Sequence, residues 1–287
     1  MLSLRRPRLY CAALSVALCV ATLVAAPAPA TVHQQAPIYL ALGDSVAAGV
    51  GATSPARGGY VPVLRDLLNR ARGCPPRWAQ TCRLELMNVA VPGATTTSLV
   101  AEQLPRAAAL AEKRNSDRTR VNDVRVITVD IGGNDVFGPV VAACSDPTSP
   151  GCGSTIRAVL RRAAANYDVM LSTLRAAAGR RSVIAVMTYY NPLPSCRLAE
   201  LAPLARRVLE GGAPVRAGLN DIIRAKAARY GAVVAETARV IGADDLVGGT
   251  DCLHPDDSGH ADIAASFARA IDDQLRGRRC AWSAARR

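Results

Sequence analysis

A serine hydroxyl attacks an ester carbonyl only when a base takes its proton as the attack proceeds, so a serine that can meet a histidine is the pairing to seek first. The 287-residue chain has three histidines, His33, His254 and His260. His33 lies in a polar, Pro-containing lead-in at 31–37. His260 falls in the first turns of what reads as the last helix, where a structural hydrogen bond is its expected role. His254 stands just before that helix, in Asp251-Cys252-Leu253-His254-Pro255, and is the candidate base. Asp251, three residues earlier, is placed to hold the imidazole in one tautomer. The candidate nucleophile is Ser45, in Gly43-Asp44-Ser45-Val46 directly after an apolar run. Taken alone, Ser45 reads better as the N-cap of a helix that follows a strand. With His254 and Asp251 the chemistry open to it is acyl transfer.

These residues need elements to bring them together, and the hydrophobic pattern supplies alternating ones. Short apolar runs at 38–43, 84–91, 124–131, 182–189 and 232–236 predict strands. Helical spacing predicts helices over 59–72, 97–112, 154–178, 215–230 and 257–275, with Pro105 kinking the second and Ser154 capping the third. Segments 112–123 and 142–153 read as loops. Strand and helix in alternation predict an α/β fold, a mostly parallel five-stranded sheet with helices on both faces. Continuous apolar strands are those buried on both sides.

In open parallel sheets, sites form at the carboxyl ends of the strands. The residues there are Gly43-Asp44-Ser45, Val91-Pro92-Gly93, Gly132-Gly133-Asn134-Asp135, Tyr190-Asn191-Pro192 and, some fifteen residues past the last strand, Asp251 to Pro255. In this order Ser45, Gly93, Asn134 and His254 form four blocks, and the chain resembles the GDSL, or SGNH, hydrolase family over nearly all of 38–275. Val46 stands where the family name has Leu. The resemblance implies a flavodoxin-like three-layer α/β/α fold and an oxyanion hole made by the backbone N–H groups of Ser45 and Gly93 with the Asn134 side-chain amide. Gly93 also reads as a turn glycine, and Asn134 as a cap or Asx-turn residue. Asp44 and Asp135 are expected to brace turns by accepting backbone N–H groups. Tyr190 and Asn191 are candidate substrate contacts.

Composition narrows the setting. Arg5, Arg6 and Arg8 precede an uncharged apolar stretch at 9–24, and Ala28-Pro29-Ala30 offers small residues for cleavage. This is a signal-peptide pattern, with an uncleaved membrane anchor as the alternative. Residues 31–287 are then expected to be one domain. Without the first thirty residues the net charge falls from +12 to +9, still basic enough for peripheral contact with anionic lipid or wall polymers. No nucleic-acid module is recognisable, and a monomer is expected. Of nine cysteines, seven lie beyond residue 30, and export predicts disulfides; the expected pairs are Cys74–Cys82, Cys144–Cys152 and Cys196–Cys252, with Cys280 left over. No ligand spacing calls for a metal or other cofactor. The reading is a secreted lipase or esterase acting on an acyl-ester substrate. The alternatives are a carbohydrate O-deacetylase, for which aromatics at 4% leave few stacking platforms, a metal-dependent phosphoesterase using Asp44, Asp251, Asp256 and His254, and a non-catalytic binding protein.

Overall fold

The apolar runs become the centre of the molecule. The structure, a computed structural model, describes residues 36–73, 82–116, 120–144, 146, 149–212 and 215–284. Strands β1 (Ile38–Gly43), β2 (Glu85–Asn88), β3 (Val124–Asp130), β4 (Val183–Met187) and β5 (Val233–Ala235) form one parallel sheet in the order β2-β1-β3-β4-β5. β1 and β4 are buried along their whole length, as continuous apolar strands should be. β2 is different. It is an edge strand and largely exposed, and only Leu84 before it is fully buried. The backbone ladder nevertheless continues past it, with Val89 N–H donating to Ala41 O (2.9 Å) and Val91 N–H to Gly43 O (3.1 Å). That continuation draws the 91–94 turn to the end of β1.

Helices cover both faces. α1 (Tyr60–Ala71) and the closing helix α7 (Asp257–Ala284) pack together on one side. α2 (Leu104–Asn115), α4 (Pro150–Ala178) and α6 (Leu219–Tyr230) form the other layer, and α3 (Gly133–Ala143) packs on α4. The result is the three-layer α/β/α arrangement, and the described residues form one compact unit. Among them, no helix is long and apolar enough to cross a membrane.

Several elements differ from the sequence expectation for identifiable reasons. Pro105 does not kink a helix interior: a π-turn, Leu99–Gln103, precedes α2, so the proline falls within the first turn, where its missing N–H costs nothing. α4 begins at Pro150 rather than 154. Ser149 caps it, accepting from Cys152 N–H at 3.2 Å, while Ser154 bonds back to Gly151 O. Both ends of the 142–153 segment are therefore helical, with Cys144 at the end of α3 bridged to Cys152 in the first turn of α4 (Cα–Cα 4.7 Å). A helix the pattern did not reveal, α5 (Ala202–Glu210), follows the fourth strand. His254 lies not in a loop but on β7 (Asp251–Pro255), paired antiparallel with β6 (Leu246–Gly248). A second bridge, Cys196–Cys252 (Cα–Cα 5.4 Å), ties β7 to the segment before α5. Cys74 of the expected Cys74–Cys82 pair, the side chain of Cys280 and the N-terminal segment 1–30 lie outside the described residues.

Candidate active site

Ser45 sits on the tight turn that leaves β1. Val50 N–H closes that turn on Ser45 O at 2.9 Å. Two buried carboxylates hold it from beneath. Asp44 accepts Val46 N–H (3.0 Å) and the Tyr189 hydroxyl (2.7 Å). Asp130, at the end of β3, accepts Ala47 N–H (2.9 Å) and the Tyr60 hydroxyl (2.8 Å). The Ser45 N–H is not drawn into these bonds. The two buried carboxyls lie close enough to influence each other's ionisation. Burial raises both: Asp44 to about 6, against the pull of Val46 and Tyr189, and Asp130 further, because the Asp44 charge adds to its desolvation.

The histidine approaches from β7. His254 Nε2 lies 2.9 Å from Ser45 Oγ, and Nδ1 lies 2.9 Å from each Asp251 oxygen. An ionised Asp251 accepts only, so the Nδ1 proton belongs to that bond and Nε2 is left to accept from the serine hydroxyl. Asp251 also accepts the backbone N–H groups of Leu253 and His254. Partial burial pushes the Asp251 carboxyl up, but its bonds to His254 outweigh that and the net shift is downward. The Tyr190 hydroxyl donates to Leu253 O at 2.8 Å and steadies the same strand.

The third approach is from α3. Asn134 is the second residue of that helix, and its Nδ2 donates one hydrogen to Ala94 O at 2.9 Å. The other amide hydrogen is left for the cleft. Ala94 ends the turn Val91–Ala94, closed by Ala94 N–H on Val91 O at 3.0 Å. Proline then glycine at the centre, with Gly93 at φ +79°, is a type II turn, and a side chain at 93 would be strained. Asp135 pins the helix start to the next turn, accepting the Thr96 N–H and hydroxyl at 2.7 and 2.6 Å.

The resulting cleft has an empty volume of about 430 Å³ and is lined by Ser45, Asn134, His254, Tyr190, Phe137 and Leu253 among others. Gly93 borders the site through the Ala94–Asn134 bond rather than lining this cleft. Asn191 is also outside it: its amide donates to Ala202 O (2.9 Å) and accepts Leu193 N–H (3.2 Å), fastening the chain to the start of α5. Asp256 accepts Ser258 and Gly259 N–H groups at the start of α7, and Asp44 is buried under the turn, so neither carboxylate joins Asp251 and His254. His260 is fully buried and lowered by that burial; Nδ1 accepts Tyr60 N–H and Nε2 donates to Val50 O, a structural bond as expected.

Three contributors had not been read from the sequence. Asp130 was passed over although a lone acid in a buried apolar strand is a signal of its own. Tyr60 was not singled out within the 59–72 helix. Gly51 has φ +99°, and a Cβ there would overlap the Pro255 carbonyl oxygen and sit 3.0 Å from His254 Cβ. It lets the turn after β1 and strand β7 meet.

The GDSL-like Lipase/Acylhydrolase family model matches residues 41–261. The chain belongs to this family, and is a carboxylic ester hydrolase. No curated protein sequence matches it. Among solved structures it is similar to the lipase Lip_vut3 from a goat rumen metagenome, with TM-score 0.56 and 21% identity over 82% of this chain and 97% of that one. It is also similar to TesA (TM-score 0.52, 17% identity, 83% and 99% covered). A variant of Axe2, an acetyl xylan esterase from Geobacillus stearothermophilus, gives TM-score 0.51 and 16% identity, with 83% and 96% covered. At these identities the likeness is one of fold.

Proposed function

We propose that this protein is an exported serine esterase that cleaves acyl esters through Ser45, His254 and Asp251. The observation that carries the reading is the unbroken row Ser45 Oγ, His254 Nε2, His254 Nδ1 and Asp251, each step 2.9 Å. As Ser45 Oγ attacks the carbonyl carbon, His254 Nε2 takes the hydroxyl proton. Asp251 keeps the imidazole in the Nδ1–H tautomer and stabilises the imidazolium. The carbonyl oxygen becomes an oxyanion facing the Ser45 and Gly93 N–H groups and the free hydrogen of Asn134 Nδ2. One such donor contributes about 3–4 kcal/mol to the transition state. Collapse breaks the bond to the alkoxy oxygen, and His254 returns its proton to the departing alcohol. Water, deprotonated by the same nitrogen, then releases the acid from Ser45.

Export is supported by the N-terminal pattern over 1–30 and by the two bridged cysteine pairs, which belong to an oxidising compartment. The deciding experiment is hydrolysis of p-nitrophenyl esters by the purified protein and its Ser45→Ala variant, with and without chelator. The expected result is a loss of at least about 1000-fold in kcat for the variant and no effect of chelator. A variant that keeps its rate overturns the assignment of Ser45.

A further inference from the structure

The ends of the strands away from Ser45 carry a different chemistry. A helix that joins parallel strands runs back against the sheet, so α4 and α6 end where β4 and β5 begin. An open groove lies there, with about 1360 Å³ of empty space, lined by Arg175, Arg180, Arg229, Tyr230, Ser172 and Gln274 among others. Among the described residues, three guanidinium groups and no carboxylate line it. Arg175 is its floor. That side chain donates to Gly179 O (2.8 Å) and Ser182 O (3.0 Å) before β4, and to Tyr230 O (3.1 Å) and Gly231 O (2.8 Å) before β5. Basic residues gather at helix C-termini because the last carbonyls are partly negative. Arg175 already takes up carbonyls at the ends of both α4 and α6, so capping does not account for Arg180 and Arg229. Arg180 is exposed and makes no ion pair among the described residues. The Arg229 side chain is 66% exposed, lies over the Tyr230 ring at 5.5 Å and stands 3.7 Å from Asp168. That carboxylate is held more closely by Lys226 (2.5 Å) and the Tyr230 hydroxyl (3.0 Å).

The charge continues under the sheet. Arg181, just before β4, and Arg125 on β3 share one buried acid, Asp123, at 3.9 and 3.7 Å. Neither distance is a hydrogen bond, and both Asp123 oxygens lack a hydrogen-bond partner. Partial desolvation and the charge of Arg125 lower the Arg72 guanidinium at the end of α1. A guanidinium lowered by a cationic neighbour is short of counter-charge. From Arg125 on β3 to Arg229 beside β5 is two strand spacings, about 10 Å, and Arg72 lengthens the row.

We propose that this groove and the row of arginines leading to it bind a phosphate-bearing polymer chain and so anchor the enzyme by the end opposite its active site. Arginine forks grip phosphate oxygens in pairs. A single phosphate engages one or two of these cations, whereas a chain engages the row. A flat bilayer meets protruding side chains, and these cations line a recess. The remaining walls include Ala176, Ala228, Gly179 and Gly231, too small to grip the side chains of an acidic peptide. The one aromatic ring, Tyr230, already carries Arg229 on its face, where a nucleic-acid base would stack. A chain bound here leaves the Ser45 cleft open, because the two lie at opposite ends of the strands.

The test measures binding of the purified protein to long-chain polyphosphate, to polyglutamate of equal length and to phosphatidylglycerol vesicles, from about 50 to 200 mM salt. Three phosphates neutralised on a single chain give a log–log salt slope of about −2, a loss of roughly 20-fold over that range. Arg180→Gln/Arg229→Gln should weaken polyphosphate binding at least about tenfold at the lower salt and bring the slope to about −0.7. Arg206→Gln/Arg207→Gln, which removes the same charge from exposed positions on α5, should stay within about twofold of wild type. Thermal melts check that both double variants fold. Equal losses in the two variants would reduce the binding to net charge and overturn the proposal. So would vesicles bound more tightly than polyphosphate, polyglutamate bound as tightly as polyphosphate, or a wild type that binds none of the three at the lower salt.

Discussion

Replacing Gly51 with alanine should disable the site without touching any group that carries the chemistry. Gly51 has φ +99°, which costs an L residue about 1–2 kcal/mol. The added methyl would also overlap the Pro255 carbonyl oxygen and stand 3.0 Å from His254 Cβ. A backbone oxygen cannot rotate aside as a side chain can. Restoring ordinary contact at about 3.5 Å moves β7 away from the β1 turn by on the order of 1 Å. The 2.9 Å between His254 Nε2 and Ser45 Oγ then exceeds hydrogen-bond reach. Misplacement of that size costs roughly 100-fold in rate. The expected outcome for Gly51→Ala is kcat/KM down about 100-fold on p-nitrophenyl butyrate, with a melting temperature lower by only about 2–8 °C. Circular dichroism and thermal melts separate the two effects. A folded Gly51→Ala protein within threefold of wild-type kcat/KM would refute the claim that this close approach sets the Ser45–His254 distance.

Two further outcomes follow from the same geometry. The Cys196–Cys252 bridge closes a separation of 56 residues and Cys144–Cys152 one of 8, so loop entropy gives about 4 against about 2.5 kcal/mol. Cys196→Ser/Cys252→Ser should therefore lose more stability, and also activity, because β7 carries His254; a double variant as active as wild type at 25 °C would show that the bridge does not brace the histidine strand. The raised Asp44 and Asp130 carboxyls make the folded state hold more protons than the unfolded one, so their contribution is complete below about pH 4 and is lost as pH rises through about 6 and beyond. Asp130→Asn keeps an acceptor for Ala47 N–H and removes one of the two titrations. Denaturant melts should show wild type losing stability relative to Asp130→Asn as pH rises from 5 to 8; parallel stability curves would refute a raised Asp130 carboxyl.

Ser45 and Asn134 were legible as candidates because each follows an apolar run that ends in a turn, while Asp251 and His254, some fifteen residues past the last predicted strand, were legible from the scarcity of histidines and the three-residue step between them. The strands themselves were readable for the reason that a sheet covered on both faces needs unbroken apolar stretches. β2 was also found, but its exposure was not, since edge position depends on which strand pairs with which. α5 escaped notice because nine residues containing Pro203 offer too short a periodic pattern beside the prolines at 192 and 194. α4 was found and its start misplaced, because two serines, Ser149 and Ser154, offer the same capping chemistry and only the bridge at Cys152 selects between them.

What the linear chain determined, then, is local: the period of its apolar residues, the turn chemistry of Pro92-Gly93, and the three-residue step from Asp251 to His254. These depend on neighbours within a few positions, and burial or backbone geometry imposes them directly. What the tertiary structure decided is every contact across the sheet. Asp44 meets Tyr189 over 145 residues, Ser45 meets His254 over 209, and Phe137 faces α5 across an open cleft. Those meetings follow from the strand order β2-β1-β3-β4-β5 and from where each helix packs. Many pairings of the same amphipathic elements bury similar apolar area, so no single segment specifies them; the whole core selects one arrangement by fitting together at interior density.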